Sequence, residues 1–254
     1  MSAAFESFAA LHVPGEPVVL FNVWDAGSAQ AVARAGARAV ATGSASVAGA
    51  HGYQDAEALP LSLALANAAR VVEAVDLPVT IDFEGAYSPD PAIAAENVAR
   101  LAATGAIGCN LEDQVIASHA TRRELHSTSD QAKRIAAIRA AAGPAFFLNA
   151  RTDIFLIAKP ESHDEAKANH AIERGLAYAA AGASGFFVPG LADLRLLARI
   201  CKAVPLPVNY MAFPGGPSAA DVASAGVARI SHGPFPWKLA LKAFEDAARE
   251  ALAG

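Results

Sequence analysis

The chain has 254 residues, 54% of them hydrophobic, and a formal net charge of −5. That apolar content supplies a well-filled core. The acidic balance argues against a nucleic-acid surface, which needs a basic stripe, and no run of about 18 uncharged apolar residues argues for a membrane span. The length suits one α/β barrel.

The first seventeen residues lack a basic region followed by an apolar core and do not read as a secretory signal. Short continuous apolar runs, the pattern of strands covered on both faces, then alternate with helix-like segments. In chain order the sequence predicts a strand over Val18–Val23, a helix over Ser28–Ala35 and a strand over Arg38–Thr42. An irregular stretch, Ser44–Pro60, precedes a helix over Leu61–Val75 and a strand over Pro78–Asp82. A helix over Pro91–Ala103, a strand over Ile107–Glu112 and a second irregular stretch, Gln114–Thr128, follow. Next come a helix over Ser129–Ala142, a strand over Ala145–Asn149 and a helix over Glu165–Ala181. Strands over Gly185–Val188, Pro207–Met211 and Ala228–Ser231 complete a set of eight. Gly36, Gly105 and Gly182 fall just past helix ends, where a left-handed cap is favoured. A last helix over Trp237–Leu252 follows Gly233-Pro234-Phe235-Pro236, whose prolines predict a stiff, extended lead-in.

Strict β-α alternation with eight strands predicts a single closed (β/α)8 TIM-type barrel over residues 1–254. An open dinucleotide-binding sheet is disfavoured, because Phe21–Gln30 lacks the glycine fingerprint. Cys109 and Cys201 are isolated in apolar surroundings and read as buried free thiols of a reducing, cytoplasmic compartment. Lysines are few and none lies in a predicted strand, which disfavours Schiff-base chemistry.

Candidate chemistry gathers just after the strands. Asp82 and Glu84 flank Phe83, and residues two apart point the same way, so both carboxylates can face the barrel mouth. Glu112 follows the adjacent strand, and Asp55 lies in the loop after the second. Hard oxygen donors of this kind suit Mg²⁺ or Mn²⁺; the alternative is that each caps a helix or pairs with an arginine. Arg151 can bind a substrate carboxylate bidentately, or pair internally with Glu112 or Asp153, and both can hold at once. The turn Thr42-Gly43-Ser44-Ala45 offers backbone N–H groups to an anion. Asn209, ending the seventh strand, can hydrogen-bond a substrate. Phe213–Ser218 can cradle a phosphate or place Ser218 as a helix cap. His119 and His126, with Arg122 and Arg123, lie in the loop after Glu112, which could close as a lid.

These segments resemble the isocitrate lyase/phosphoenolpyruvate mutase superfamily. The resemblance is carried by Phe21–Ala29, Asp82–Gly85, Asn110–Gln114 and Asn149–Asp153. It implies a barrel whose eighth helix, about residues 237–252, is swapped between subunits of a homotetramer built as a dimer of dimers. It also implies Mg²⁺ held mostly through water by Asp55, Asp82, Glu84 and Glu112, and a small 2-oxo or 2-hydroxy carboxylate as substrate, cleaved at an adjacent C–C or C–P bond. The chain departs from the pattern in four places, one being Gly43, which falls where the resembled family has a hydroxyl residue in its carboxylate-binding turn. The catalytic-cysteine loop of isocitrate and methylisocitrate lyases is replaced by Val115–Arg123, which has no cysteine, so neither activity is expected here. Glu84 stands where the mutase and phosphonopyruvate hydrolase branch has a second aspartate. Gly185–Gly190 lacks the Glu or His of defined branches. The reading is therefore a Mg²⁺-dependent lyase or hydrolase. Arg151, Glu112 and His119 are its catalytic residues, with His119 as proton donor. Thr42, Gly43, Ser44, Ala45, Asp82, Arg151 and Asn209 bind the substrate. The alternatives are C–P chemistry, a non-catalytic oxo-acid binder, and a phosphate-binding isomerase-type barrel resting on Gly215-Gly216.

Overall fold

The structure, a computed structural model, describes residues 3–116 and 124–253. His119, Arg122 and Arg123 lie outside the described residues. Eight strands run in chain order: β1 Val18–Leu20, β2 Val40–Ala41, β3 Val79–Asp82, β4 Gly108–Glu112, β5 Phe147–Arg151, β6 Gly185–Phe187, β7 Val208–Met211 and β8 Arg229–Ser231. All pair in parallel, in the order β1-β8-β7-β6-β5-β4-β3-β2. The remaining seam, between β1 and β2, is closed just beyond the strands by a parallel bridge from Val23 to Thr42. Asn22 reinforces that seam. Its Nδ2 donates to the Thr42 carbonyl at 2.7 Å, and its Oδ1 accepts from the His232 and Gly233 N–H groups at 2.7 and 3.0 Å. The expected (β/α)8 barrel is what the chain forms.

The strand residues that face the surrounding helices are apolar because those helices cover them. Leu111, Leu148, Phe186 and Ile230 are at most 2% exposed and belong to one continuous core with Val98, Ile135 and Leu197 from the surrounding helices. The ends of the helices follow local chemistry. Asp25, Asp90, Asp164 and Asp193 cap helices that begin one residue later, each accepting first-turn N–H groups. Ser218 caps Ala219–Ser224 through a reciprocal pair with Asp221, so the Phe213–Ser218 segment has a capping role.

Several boundaries differ from the sequence reading. The fifth strand is Phe147–Arg151 rather than Ala145–Asn149. Its ladder with β4 runs from Gly108↔Phe147 to Glu112↔Arg151, so Arg151 is a strand residue and not a loop residue. Polarity ended the predicted strand too early, because the top of a barrel strand is polar where it faces the mouth. The segment after β2 is not irregular throughout: Ser44–Ala50 is a helix whose small residues give no amphipathic period. The last helix begins at Phe235, with Pro234 at its N-cap in a near-helical conformation and Pro236 within the first turn. The prolines are therefore not an extended lead-in; first-turn N–H groups have no intrahelical acceptor, so proline is tolerated there. Cys109 is buried as expected, whereas Cys201 is only partly so.

The last helix, Phe235–Leu252, is held chiefly at its start. Trp237 sits against Gly49, where a Cβ would collide with the indole. Beyond that point Leu239, Phe244 and Leu252 are 66, 76 and 87% exposed. Among the described residues no helix is long and apolar enough to cross a membrane.

At the opposite end of the barrel the helix Ala3–Ala10 serves as a plug. Phe8 is fully buried against Leu20, Ala39 and Phe147. The His12 ring stacks on Phe147 with centroids 4.4 Å apart and its Nδ1 lies 2.9 Å from the Phe8 carbonyl. Burial, then the positive charge of Arg229, pushes the His12 imidazole down to about 3. The unfolded chain therefore takes up a proton that the folded chain refuses, and stability drains away as pH falls from about 6.5 toward 3. Urea unfolding of the wild-type chain and His12→Phe across this range should diverge by at most about 1.4 kcal/mol per pH unit. The wild type should lose the more. Parallel curves would show that His12 does not carry this dependence.

Candidate active site

Parallel barrel strands deliver their C-terminal ends to one rim, and two adjoining cavities occupy it here. The first, of about 180 Å³, is bounded by Gly43, Ser44, Ala45, Asp82, Phe187 and Met211 among others. The second, of about 530 Å³, is bounded by Gln54, Glu84, Glu112, Gln114 and Asp153 among others. Asp55, Arg151 and Leu156 form part of both walls.

Asp82, the last residue of β3, is held from three sides. Its N–H donates to Thr42 Oγ1 at 2.9 Å, its Oδ2 accepts the Ser44 N–H at 3.1 Å, and its Oδ1 accepts from Asn110 Nδ2 at 3.2 Å. Thr42 thus stands behind Asp82 rather than in the cavity wall. Asn110 Oδ1 accepts from Asn149 Nδ2 at 2.9 Å and from buried Arg229 at 3.4 Å. Burial brings the Arg229 guanidinium down to about 10, with Asp82 opposing. Asn209 lies one layer beneath Met211, 1% exposed. Among the described residues its Nδ2 has no hydrogen-bond partner, and its Oδ1 accepts from Ser231 Oγ at 3.4 Å.

Gly43 stands where the resembled family places a hydroxyl residue. A Cβ there would lie 3.3 Å from the Gly233 carbonyl and 3.7 Å from Asn22 Cβ. The loop after β8 thus crowds that position.

Arg151, at the end of β5, gathers the acids. It lies 2.9 Å from Glu112 Oε2, 2.6 Å from Asp153 Oδ1 and 3.9 Å from Asp82 Oδ1. Burial pulls its guanidinium down, but Asp153, Glu112 and Asp82 outweigh this and hold it well above its ordinary value. Desolvation raises Glu112 despite Arg151, and likewise Asp153. Asp113, next to Glu112, points to the other side of the sheet. It accepts from Arg174 and the Tyr178 hydroxyl, both at 2.8 Å, so it is part of the scaffold.

Glu84 is 4% exposed. Its Oε2 accepts the Glu57 N–H at 2.6 Å. Burial first, then Asp55, pushes its carboxyl up to about 8, with Asp82 and Glu57 adding to the rise. Asp55 is solvent-exposed at the rim, yet partial desolvation, then Asp82, raises it as well. Among the described residues all five non-glycine residues with positive φ lie in two neighbouring segments. They are Ala56, Glu57, Glu84, Ala86 and Tyr87, at +70°, +58°, +50°, +61° and +59°. Each such residue costs about 1–3 kcal/mol and persists only where its surroundings over-determine it.

The rim thus brings together Asp55, Asp82, Glu84, Glu112 and Arg151 beside Gly43, Ser44 and Ala45. His126 lies by a separate cavity of about 210 Å³ with Glu57 and Arg134. Sequence reasoning missed Asn22, Glu57 and Arg229. A lone arginine inside an apolar strand was a legible signal for Arg229; nothing in the sequence marked Glu57. Among the described residues no three His, Cys, Asp or Glu side chains converge closely enough to ligate an ion directly. The donor set nonetheless fits a hard cation. Carboxylates outnumber the only cation in these two walls among the described residues, Arg151, and burial first, then neighbouring carboxylates, raise Asp55, Glu84, Glu112 and Asp153.

A family model described as phosphoenolpyruvate phosphomutase matches residues 8–252. A crystal structure from Burkholderia cenocepacia J2315, of a protein with a provisional phosphonomutase assignment, superposes with a TM-score of 0.93. It is 47% identical and 98% of each chain is covered. The structure of 2,3-dimethylmalate lyase, a PEP mutase/isocitrate lyase superfamily member, has a TM-score of 0.82 at 26% identity. That match covers 100% of this chain and 87% of the other. The 2-methylisocitrate lyase of Escherichia coli K12 is 29% identical over 78% of this chain and 69% of its own.

A carboxyl raised to about 8 binds its proton more tightly in the folded than in the unfolded chain. Wild-type stability without divalent ions should therefore fall as pH rises from about 4.5 to 8. Glu84→Gln should remove that component, so its melting temperature should gain on the wild type across this interval and match it near pH 4. Scanning calorimetry in EDTA checks this, and an equal offset at every pH would refute the raised carboxyl.

Proposed function

The chain belongs to the phosphoenolpyruvate phosphomutase family, and from that premise we propose that it is a Mg²⁺-dependent lyase or hydrolase. Its substrate would be a small 2-oxo or 2-hydroxy carboxylate, cleaved at the neighbouring C–C bond. The observation that carries the reading is the single arginine, Arg151, set among Asp82, Glu112 and Asp153 at a cavity of about 180 Å³. Asp55, Asp82, Glu84 and Glu112 would hold the ion, mostly through water, and Mn²⁺ would substitute. Bound there, the ion supplies Lewis-acid neutralisation of the substrate's negative oxygens.

The protein's own groups do the rest. The backbone N–H groups of Ser44 and Ala45 take the substrate carboxylate, Ser44 exchanging its present bond to Asp82. Arg151 stabilises the charge that develops on the 2-oxo oxygen as the bond breaks. Glu112 keeps Arg151 turned toward that oxygen. Thr42 and Asn110 fix Asp82, and Gly43 lets the backbone approach. Asn209 supports the floor with its free amide N–H. His119, in the segment outside the described residues, would donate the proton to the carbon of the enolate left by bond cleavage, and a lid at residues 114–127 would exclude water. Methylisocitrate lyase activity is not proposed, because Val115–Arg123 contains no cysteine.

C–C cleavage is favoured over C–P cleavage by charge. Arg151 is already engaged by three carboxylates, and no second cation among the described residues lines either cavity. A dianionic phosphonate would find little to bind. The chain would act as a homo-oligomer, a dimer of dimers with the last helix swapped, a placement supported by the exposed Leu239, Phe244 and Leu252.

Turnover of oxaloacetate, dimethylmalate-like acids, 2-methylisocitrate and phosphonopyruvate, read as pyruvate and phosphate release with Mg²⁺ or EDTA, tests the reaction. Mg²⁺-dependent cleavage of a C–C substrate is expected, and Asp82→Ala should lower kcat/KM at least 100-fold. Phosphate release from phosphonopyruvate would favour the C–P reading, and oxo-acid binding without turnover would favour a binding protein. The assembly is tested separately by light scattering. Leu239→Asp with Phe244→Asp should reduce a tetramer to smaller species while leaving the circular dichroism unchanged, and an unaltered mass would overturn the swapped helix.

A further inference from the structure

We propose that Glu57 is a positioning residue whose carboxylate locks the loop bearing Asp55 onto the turn bearing Glu84, so that both reach the site together. The inference rests on the proposed cation site for its consequence, but the lock itself is independent of it. Glu57 Oε1 accepts the Tyr87 N–H at 2.7 Å, and the Gly85 backbone also favours the charged carboxylate. Backbone that mixes right- and left-handed residues in a turn directs its N–H groups inward to form an anion-binding concavity, and here Glu84, Ala86 and Tyr87 are left-handed while Gly85 is not. The anion seated in it is the chain's own Glu57. A Cβ at Gly85 would lie 3.0 Å from Glu57 Oε1 and crowd it.

The contact is reciprocal. The Glu57 N–H donates to Glu84 Oε2 at 2.6 Å, so one residue holds the turn through its side chain and the functional carboxylate through its backbone. Arg134, 2% exposed, completes the lock from the other side by donating to the Gly85 carbonyl and to the Ser88 carbonyl at 3.0 Å. The turn's N–H groups are thus pinned by an anion and its carbonyls by a cation. Asp55 lies two residues before Glu57, and Ala56 and Glu57 are both held at positive φ. Without the carboxylate, the contact to Tyr87 that helps offset their strain is lost, and the loop is free to leave.

The test compares Glu57→Ala, Glu57→Gln and wild type by amide hydrogen exchange and by Mn²⁺ affinity from electron paramagnetic resonance. In Glu57→Ala the amides of residues 57, 85 and 87 should exchange at least 10-fold faster, while those of β4 and β5 are unchanged. Mn²⁺ affinity should fall at least 10-fold. Glu57→Gln, which keeps one acceptor oxygen, should recover most of both. Wild-type protection of the 85 and 87 amides in Glu57→Ala would overturn the lock. So would wild-type Mn²⁺ affinity in that variant. If the wild type binds no Mn²⁺ while exchange responds as expected, the lock stands and the cation reading fails. Should Glu57→Ala not fold, Glu57→Met, which keeps the length but has no carboxylate, decides: unprotected 85 and 87 amides support the lock, and full protection refutes it.

Discussion

Arg151 is the interaction around which the rim is built. Removing several carboxylates from water is costly, and desolvation is the leading cause of every raised carboxyl here. One guanidinium at the end of β5 offsets part of that cost by touching Glu112 and Asp153 and lying near Asp82. It does not offset all of it, and the residue is an unbalanced acidic mouth. On the proposed reading, that imbalance would favour a divalent cation over a second dense anion such as a phosphonate.

Such a site needs a rigid frame, since groups that repel one another move apart unless held. The frame has two parts. Below, the polar ends of the strands interlock: Thr42, Asn110, Asn149 and Arg229 support Asp82 from within the barrel, and Asn22 ties the last loop to the β1–β2 seam. Beside it, two strained segments brace each other through Glu57 and Arg134. Left-handed alanine, glutamate and tyrosine are unfavourable locally, and their clustering in these two segments ties the strain to the placement of Glu84 and Asp55.

The other end of the molecule shows the same logic in reverse. Around Phe8, His12 and Phe147 the barrel is closed by apolar and aromatic packing with one neutral imidazole. The axis of the barrel thus passes from an apolar plug through a buried arginine to an acidic rim. The cavities lined by the gathered carboxylates lie at the rim, so fold polarity and site location are one fact.

Much of this was legible in the chain. Eight apolar runs separated by helical segments determine a barrel, because parallel strands covered on both faces have few other closed arrangements. Carboxylates placed just after strands had to meet at one mouth, which located Asp82, Glu84, Glu112 and Arg151. Local codes also sufficed for the helix caps at Asp90, Asp164 and Ser218, where a side chain reaches its own first turn. Only the tertiary structure decided the rest. It turned Asp113 away from Glu112 toward Arg174, carried β5 through to Arg151, and put Trp237 on Gly49. It also joined Glu57 to a turn thirty residues away. The reason is range: periodicity and capping act over a few residues, whereas each of these pairs is set by which strands become neighbours when the barrel closes.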